Sequence, residues 1–138
     1  MSYISFDLAS PPFDNIAVRK ALQYAIDRDE MTATVLKDHA IPGKSLLPPG
    51  YPGYKDAITS QAAFDLAKAK DHLAKAGFPD GAGFPEIAIW YRDQGGYNRA
   101  ITAPMLQYLQ AEFKANLGIT MNLKIPACLT KSVTGSFT

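Results

Sequence analysis

The chain has 138 residues, of which 47% are apolar and 20% charged, so it is long enough for one domain around a modest single core and ordinary in composition for a folded globular protein. Fourteen basic residues against thirteen acidic ones give a net charge of +1, too weak a field to draw nucleic acid or an anionic membrane surface. No stretch approaches the ~20 apolar residues of a membrane span, no secretory signal is legible ahead of the first predicted strand, and one cysteine, Cys128, excludes an intrachain disulfide and a multi-cysteine metal site.

In chain order, residues 3–8 alternate, with Ile4, Phe6 and Leu8 on one face and Ser5 and Asp7 on the other, which predicts a half-buried strand ended by Pro11-Pro12. Asp14 is placed to cap a helix reaching Ile26, with Phe13 stapled onto Val18 and an apolar stripe of Val18, Ala21, Leu22, Ala25 and Ile26. Asp27 and Glu30 form a capping-box-like pair, so a second, short helix is expected to start there and run to Lys37. Residues 41–57 are a long loop rich in proline and glycine, with several tight turns expected.

Helix grammar is clearest over residues 64–78. Asp65 is a good N-cap. Leu66, Ala69, Leu73 and Ala76 recur at helical spacing, and Gly77 can take the left-handed conformation that lets Phe78 fold back on Leu73. Pro79 forbids resumption, and residues 80–83 make a turn. The run 87–91 is continuously apolar and predicts a strand covered on both faces. A helix over 99–117 follows; either Asn98 caps it and Pro104 kinks its second turn, or Thr102 caps a later start. Gly118 stops it, and Ile119, Met121, Leu123 and Ile125 alternate with polar residues in a last strand. Strand, helix and strand in this order predict a right-handed βαβ unit. The core is expected from Phe13, Val18, Leu22, Ile26, Leu73, Phe78, Ile87, Ile89, Leu109, Phe113 and Leu123. The Ser/Thr-rich tail, 126–138, lacks periodicity and is expected to be poorly ordered.

No constellation suits catalysis. His39 and His72 have no partner at metal-ligand spacing, nothing near Cys128 would lower its thiol pKa, and the acidic residues Glu30, Asp65, Glu86 and Glu112 are scattered over caps and helix surfaces. Gly77, Gly81 and Gly83 precede a strand instead of following one, so they are not a dinucleotide loop. Arg19 reads as structural, pairing with Asp14 or a loop carbonyl. The best binding candidate is the segment 90–98, with Tyr91, Arg92, Asp93, Tyr97 and Asn98, because it leaves the carboxyl end of a strand and enters a helix N-terminus. The alternative is a solvated connection with Trp90 in the core. The same two readings apply to residues 44–54, including Lys44 and Ser45.

Two blocks of this sequence resemble a known family. Within residues 3–31 stand Pro12-Phe13-Asp14, Val18-Arg19-Lys20-Ala21-Leu22 and Tyr24-Ala25-Ile26-Asp27-Arg28; further on come Lys68-Ala69-Lys70 and Ala74-Lys75-Ala76-Gly77-Phe78. Their order and separation are similar to those of the family 5 extracellular solute-binding proteins, over residues 3–125. The resemblance implies an α/β fold: a partial lobe of the type II periplasmic-binding-protein kind, with a small mixed sheet flanked by helices. It implies a receptor of a bacterial ABC importer, periplasmic or extracellular, that closes two lobes around a peptide or similar small solute and passes it to a membrane permease, without cofactor, metal or turnover. Members are far longer, so the chain is expected to be an excised or truncated piece, residues 1–125 forming part of the second lobe. The acidic residue that holds a peptide's amino terminus in such members lies beyond its end. A truncated lobe is expected to self-associate. The other readings are a free-standing protein-interaction module on the same fold, and an enzyme, for which the residues offer no support.

Overall fold

The computed structural model describes residues 3–37, 39–43, 45, 47, 49–55, 63–91 and 97–125. Four α-helices and two strands stand out: α1 (Ile16–Tyr24), α2 (Arg28–Thr34), α3 (Leu66–Lys75), β1 (Ile87–Trp90), α4 (Tyr97–Leu117) and β2 (Met121–Lys124). The strands pair in parallel, with Ile87 opposite Met121 and Trp90 opposite Lys124. With α4 between them they form the predicted βαβ unit. Among the described residues the sheet is therefore two-stranded and parallel, and not mixed.

The third predicted strand does not form. Residues 3–7 carry no ladder, and Leu8 is 60% exposed. Alternation marks a segment with two unlike faces but does not supply a partner edge. Here the local chemistry is that of a turn: the Asp7 carboxylate accepts from the Ser10 hydroxyl at 2.5 Å and from the Ala9 N–H at 3.1 Å. These two bonds, the hydroxyl first, hold its pKa below the ordinary value. Phe6 still serves the fold, its ring lying 5.0 Å from that of Phe13.

The cap of α1 is Asn15, one residue past the expected Asp14; its Oδ1 accepts from the Ala17 N–H at 2.9 Å. Arg19 has the structural role read from the sequence, donating to the carbonyls of Phe13 at 2.6 Å and Asp14 at 3.1 Å. That pins the turn ahead of the helix. Asp27 caps α2 through the Glu30 N–H at 2.9 Å. The Glu30 carboxylate does not complete a capping box by reaching back; it accepts instead from the Tyr108 hydroxyl on α4 at 3.2 Å, tying two helices together. Burial first, then the charges of Glu112, Glu30 and Asp27, push the Tyr108 phenol up.

Helix α3 follows its sequence grammar closely. Asp65 accepts from the Lys68 N–H at 3.0 Å. Gly77 sits at φ +94°, and the N–H groups of Gly77 and Phe78 donate to the carbonyls of Ala74 and Leu73, both at 3.0 Å, which is the Schellman pattern. Bonds to the Lys68 backbone and ammonium hold the Asp65 carboxyl below its ordinary 3.8. A depressed carboxylate pKa contributes stability above its unfolded value that is lost as pH falls through the folded one. Thermal melts of the wild-type chain are thus expected to fall more steeply on acidification below pH ~4 than those of Asp65→Asn, which keeps a neutral cap. Parallel curves would show that this carboxylate does not couple to folding.

Helices α1 and α3 pack side by side, with the Asp65 N–H donating to the Tyr24 carbonyl at 3.0 Å across their join. His72 stacks on Tyr24 with ring centroids 5.7 Å apart. The core comprises Val18, Ala21, Leu22 and Ala25 of α1 and its end, Ala69 and Leu73 of α3, Leu106, Leu109, Phe113 and Leu117 of α4, and Ile87, Ile119 and Met121 of the βαβ unit. Of the expected core, Val18, Leu22, Leu73, Ile87, Leu109 and Phe113 are fully inside, while Phe13, Ile26, Phe78, Ile89 and Leu123 pack against it half-buried. Helix α4 starts at Tyr97, ahead of both expected caps, and runs through Pro104, which brings no N–H to the carbonyl of Ala100.

The two connections entering the strands touch backbone to backbone. A Cβ on Gly81 would stand 2.2 Å from the Leu117 carbonyl oxygen, and one on Gly118 2.7 Å from that of Asp80; both glycines have positive φ, +79° and +68°. These glycines mark turns, as the sequence suggests, but they also permit a close approach.

Candidate functional site

The carboxyl edge of the parallel sheet is where β1 and β2 end and the chain turns into α4. Open α/β sheets bind ligands at such edges. The ladder closes here with the Tyr91 N–H donating to the Lys124 carbonyl at 3.0 Å. Tyr91 is half-buried and packs against the core, and Trp90 beside it is 62% exposed. Because Trp90 and Lys124 are register partners, their side chains leave the same face, and the Lys124 ammonium lies 5.6 Å from the centre of the indole.

This face corrects the expectation of a strand covered on both sides. Ile87, Ile89, Met121 and Leu123 turn to the helices, whereas Ala88, Trp90, Asn122 and Lys124 are exposed. The open face is polar apart from Ala88 and Trp90, and Asn122 donates to the Glu86 carboxylate at 3.1 Å. Trp90 is thus not a core residue among the described parts of the chain. Sequence reasoning missed Lys124; the signal was available only in the strand register, which sets the last residues of β1 and β2 opposite each other.

Of the predicted site residues, Tyr91 stands at this edge. Tyr97 and Asn98 open α4 at the same end of the unit. Arg92, Asp93 and Lys44 lie outside the described residues, as does the tail 126–138. Ser45 is not turned to the sheet: its hydroxyl donates to the carbonyl of Leu47 within its own loop. That loop contains the expected tight turns, one closed by the Tyr54 N–H on the Tyr51 carbonyl at 3.0 Å, with Gly50 and Gly53 at positive φ. A shallow depression of about 280 Å³ lies between α4 and β2, lined by Gln107, Gln110, Ala111, Lys114, Thr120 and Met121. Gln110 there donates to the Met121 carbonyl at 2.6 Å and so covers part of the free strand edge. No group of three or more metal-ligating side chains occurs among the described residues, and no described helix is long and apolar enough to cross a membrane.

This arrangement of helices on a small parallel sheet belongs to the type II periplasmic-binding-protein class. Its backbone superposes on an oligopeptide-binding protein of an ABC transporter from Borrelia burgdorferi with a TM-score of 0.71 and 32% identity, over 91% of this chain and 24% of that one. It has the same fold as HbpA2 from Haemophilus parasuis, with a TM-score of 0.73 and 24% identity, over 88% of this chain and 23% of that one. The description "Bacterial extracellular solute-binding proteins, family 5 Middle" matches residues 1–131, and the chain belongs to that family. Among curated relatives it is 40% identical over 122 residues to heme-binding protein A of Haemophilus influenzae, covering 88% of this chain and 21% of the relative. It is 32% identical over 117 residues to the glutathione-binding protein GsiB of Salmonella choleraesuis, covering 85% and again 21%. The chain thus spans about a fifth of the length of the curated relatives it matches.

Proposed function

We propose that this chain is a piece of the substrate-binding receptor of a bacterial ABC importer: part of one lobe, residues 1–125, of a longer protein that captures a peptide or similar small solute in a two-lobe cleft and delivers it to a membrane permease. The carrying observation is the carboxyl edge of the parallel sheet, where Tyr91 and the Trp90–Lys124 pair stand in a member of a solute-binding family. Relatives named for heme, glutathione and oligopeptides support a carboxylate-bearing organic solute. The residues assigned to the cleft are those of 90–98 and 44–54, of which Tyr91 at the sheet edge and Tyr97 and Asn98 at the start of α4 are described. The receptor works in the periplasm or outside the cell. It performs no turnover.

One lobe offers half the contacts that closure supplies, so the chain alone is expected to bind di- and tripeptides no tighter than roughly millimolar. The full reading frame, expressed with its other lobe, is expected to bind one of trialanine, glutathione or heme at micromolar levels in calorimetry. Micromolar binding by the 138-residue chain would mean that one lobe carries recognition by itself; a reading frame that encodes no further lobe would overturn the receptor reading. Exposed Tyr3, Leu8 and Ile16 leave apolar surface open. The chain alone should therefore sediment as a dimer or larger species, and a stable monomer would contradict the truncated-lobe account.

A further inference from the structure

The open face of the sheet poses a problem that the receptor reading does not resolve: what Trp90 and Lys124 are for. Parallel sheets are usually covered on both faces, and a dry cover would suit Trp90. It would not suit its neighbours. Asn122, Lys124 and the Glu86 carboxylate bonded to Asn122 share that face, and Lys124 has no carboxylate within ion-pair distance among the described residues. Burying that ammonium under a dry element would strand a charge, at a cost no cation–π contact offsets. An exposed face carrying an indole beside a cation that has no carboxylate at ion-pair distance among the described residues fits a small solute that brings its own anion.

We propose that Trp90 and Lys124 together form a selectivity wall of the cleft. The Lys124 ammonium takes the carboxylate of the solute, and the Trp90 indole takes the apolar or aromatic group next to that carboxylate, as at the free carboxyl end of a short peptide. Register sets this pair: the two residues are opposite each other at the last ladder position, both at the carboxyl edge, with the ammonium already held 5.6 Å over the ring. Lys124 is thus poised beside an apolar surface, where a carboxylate and its apolar neighbour can be met together. The inference rests on the receptor reading for its location but makes a claim about this chain's own two side chains.

Trp90 is the chain's one tryptophan, so its emission reports on this site alone. The test titrates the 138-residue chain with alanyl-alanyl-phenylalanine and with the same peptide carrying a carboxyl-terminal amide. The free acid is expected to change the Trp90 emission saturably and to bind about fivefold or more tighter than the amide, as befits a charge-assisted contact at an exposed site. In Lys124→Gln the acid should weaken to the level of the amide, and the amide should not change. Added salt should narrow the gap between acid and amide in the wild type only. Equal affinities for acid and amide in the wild type, no emission change with either, or a preference that survives Lys124→Gln would each overturn the proposal. The receptor reading would stand or fall separately, on calorimetry of the full reading frame.

Discussion

Gly81→Ala and Gly118→Ala are each expected to destabilise the fold by about 2–5 kcal/mol, the sum of roughly 1–3 kcal/mol for forcing atoms into filled space and roughly 1–2 kcal/mol for a side chain at positive φ. At Gly81 the new methyl would stand 2.2 Å from the Leu117 carbonyl oxygen, and at Gly118 2.7 Å from that of Asp80. Neither obstacle is the far end of a flexible side chain. Relief requires the turn after α3 to separate from the turn after α4, and those two turns deliver β1 and β2 into register. Gly83→Ala is the control, because Gly83 also has positive φ, +73°, but open space where its Cβ would go. Its cost should be confined to the dihedral part, about 1–2 kcal/mol. Urea titrations of the three variants separate the terms. If Gly81→Ala and Gly118→Ala melt no earlier than Gly83→Ala, the turns do not meet as closely as described.

How much of this was legible in the sequence depends on how far apart the interacting groups lie. The Asp65 cap, the α3 stripe and the Gly77–Phe78 stop all use partners within a few residues, and each stands as read. The cap of α1 moved by one residue, since Asp14 and Asn15 are adjacent candidates and only the backbone decides which faces the first turn. Residues 3–8 alternate like a strand but meet no sheet edge among the described residues, and alternation cannot report that. The touching of Gly81 and Gly118, and the pairing of Trp90 with Lys124, join distant parts of the chain; composition and spacing signal the individual residues and not their meeting. For the site itself, the rule for open α/β sheets directs attention to the carboxyl end of β1, where the structure sets Trp90 opposite Lys124. The sequence left open whether Trp90 points inward, because that depends on which face the helices cover, and the uncovered face here is the one bearing Trp90.

Truncating Leu73 to alanine is expected to cost about 2–5 kcal/mol, a large part of the total stability of so small a domain. Leu73 is fully buried on α3, and Leu22, 2% exposed, sits in the same core cluster on α1. The same cluster holds Ala21, Ala25 and Ala69, short side chains that cannot reach into a vacated space. Collapse is therefore limited, which puts Leu73→Ala toward the upper part of the range, since the cavity left behind adds to the lost transfer free energy. Leu22→Ala should fall in the same range. Leu66→Ala, at a half-buried position on the same helix, should cost distinctly less, because part of that side chain is already in water. Denaturant midpoints of the three variants, with the slope unchanged, provide the measurement. Losses below half a kcal/mol at both Leu22 and Leu73, or a Leu66 variant as damaging as either, would mean that α1 and α3 do not meet through these faces. The carboxyl edge of the sheet would then lack the support that holds Tyr91, Trp90 and Lys124 in place.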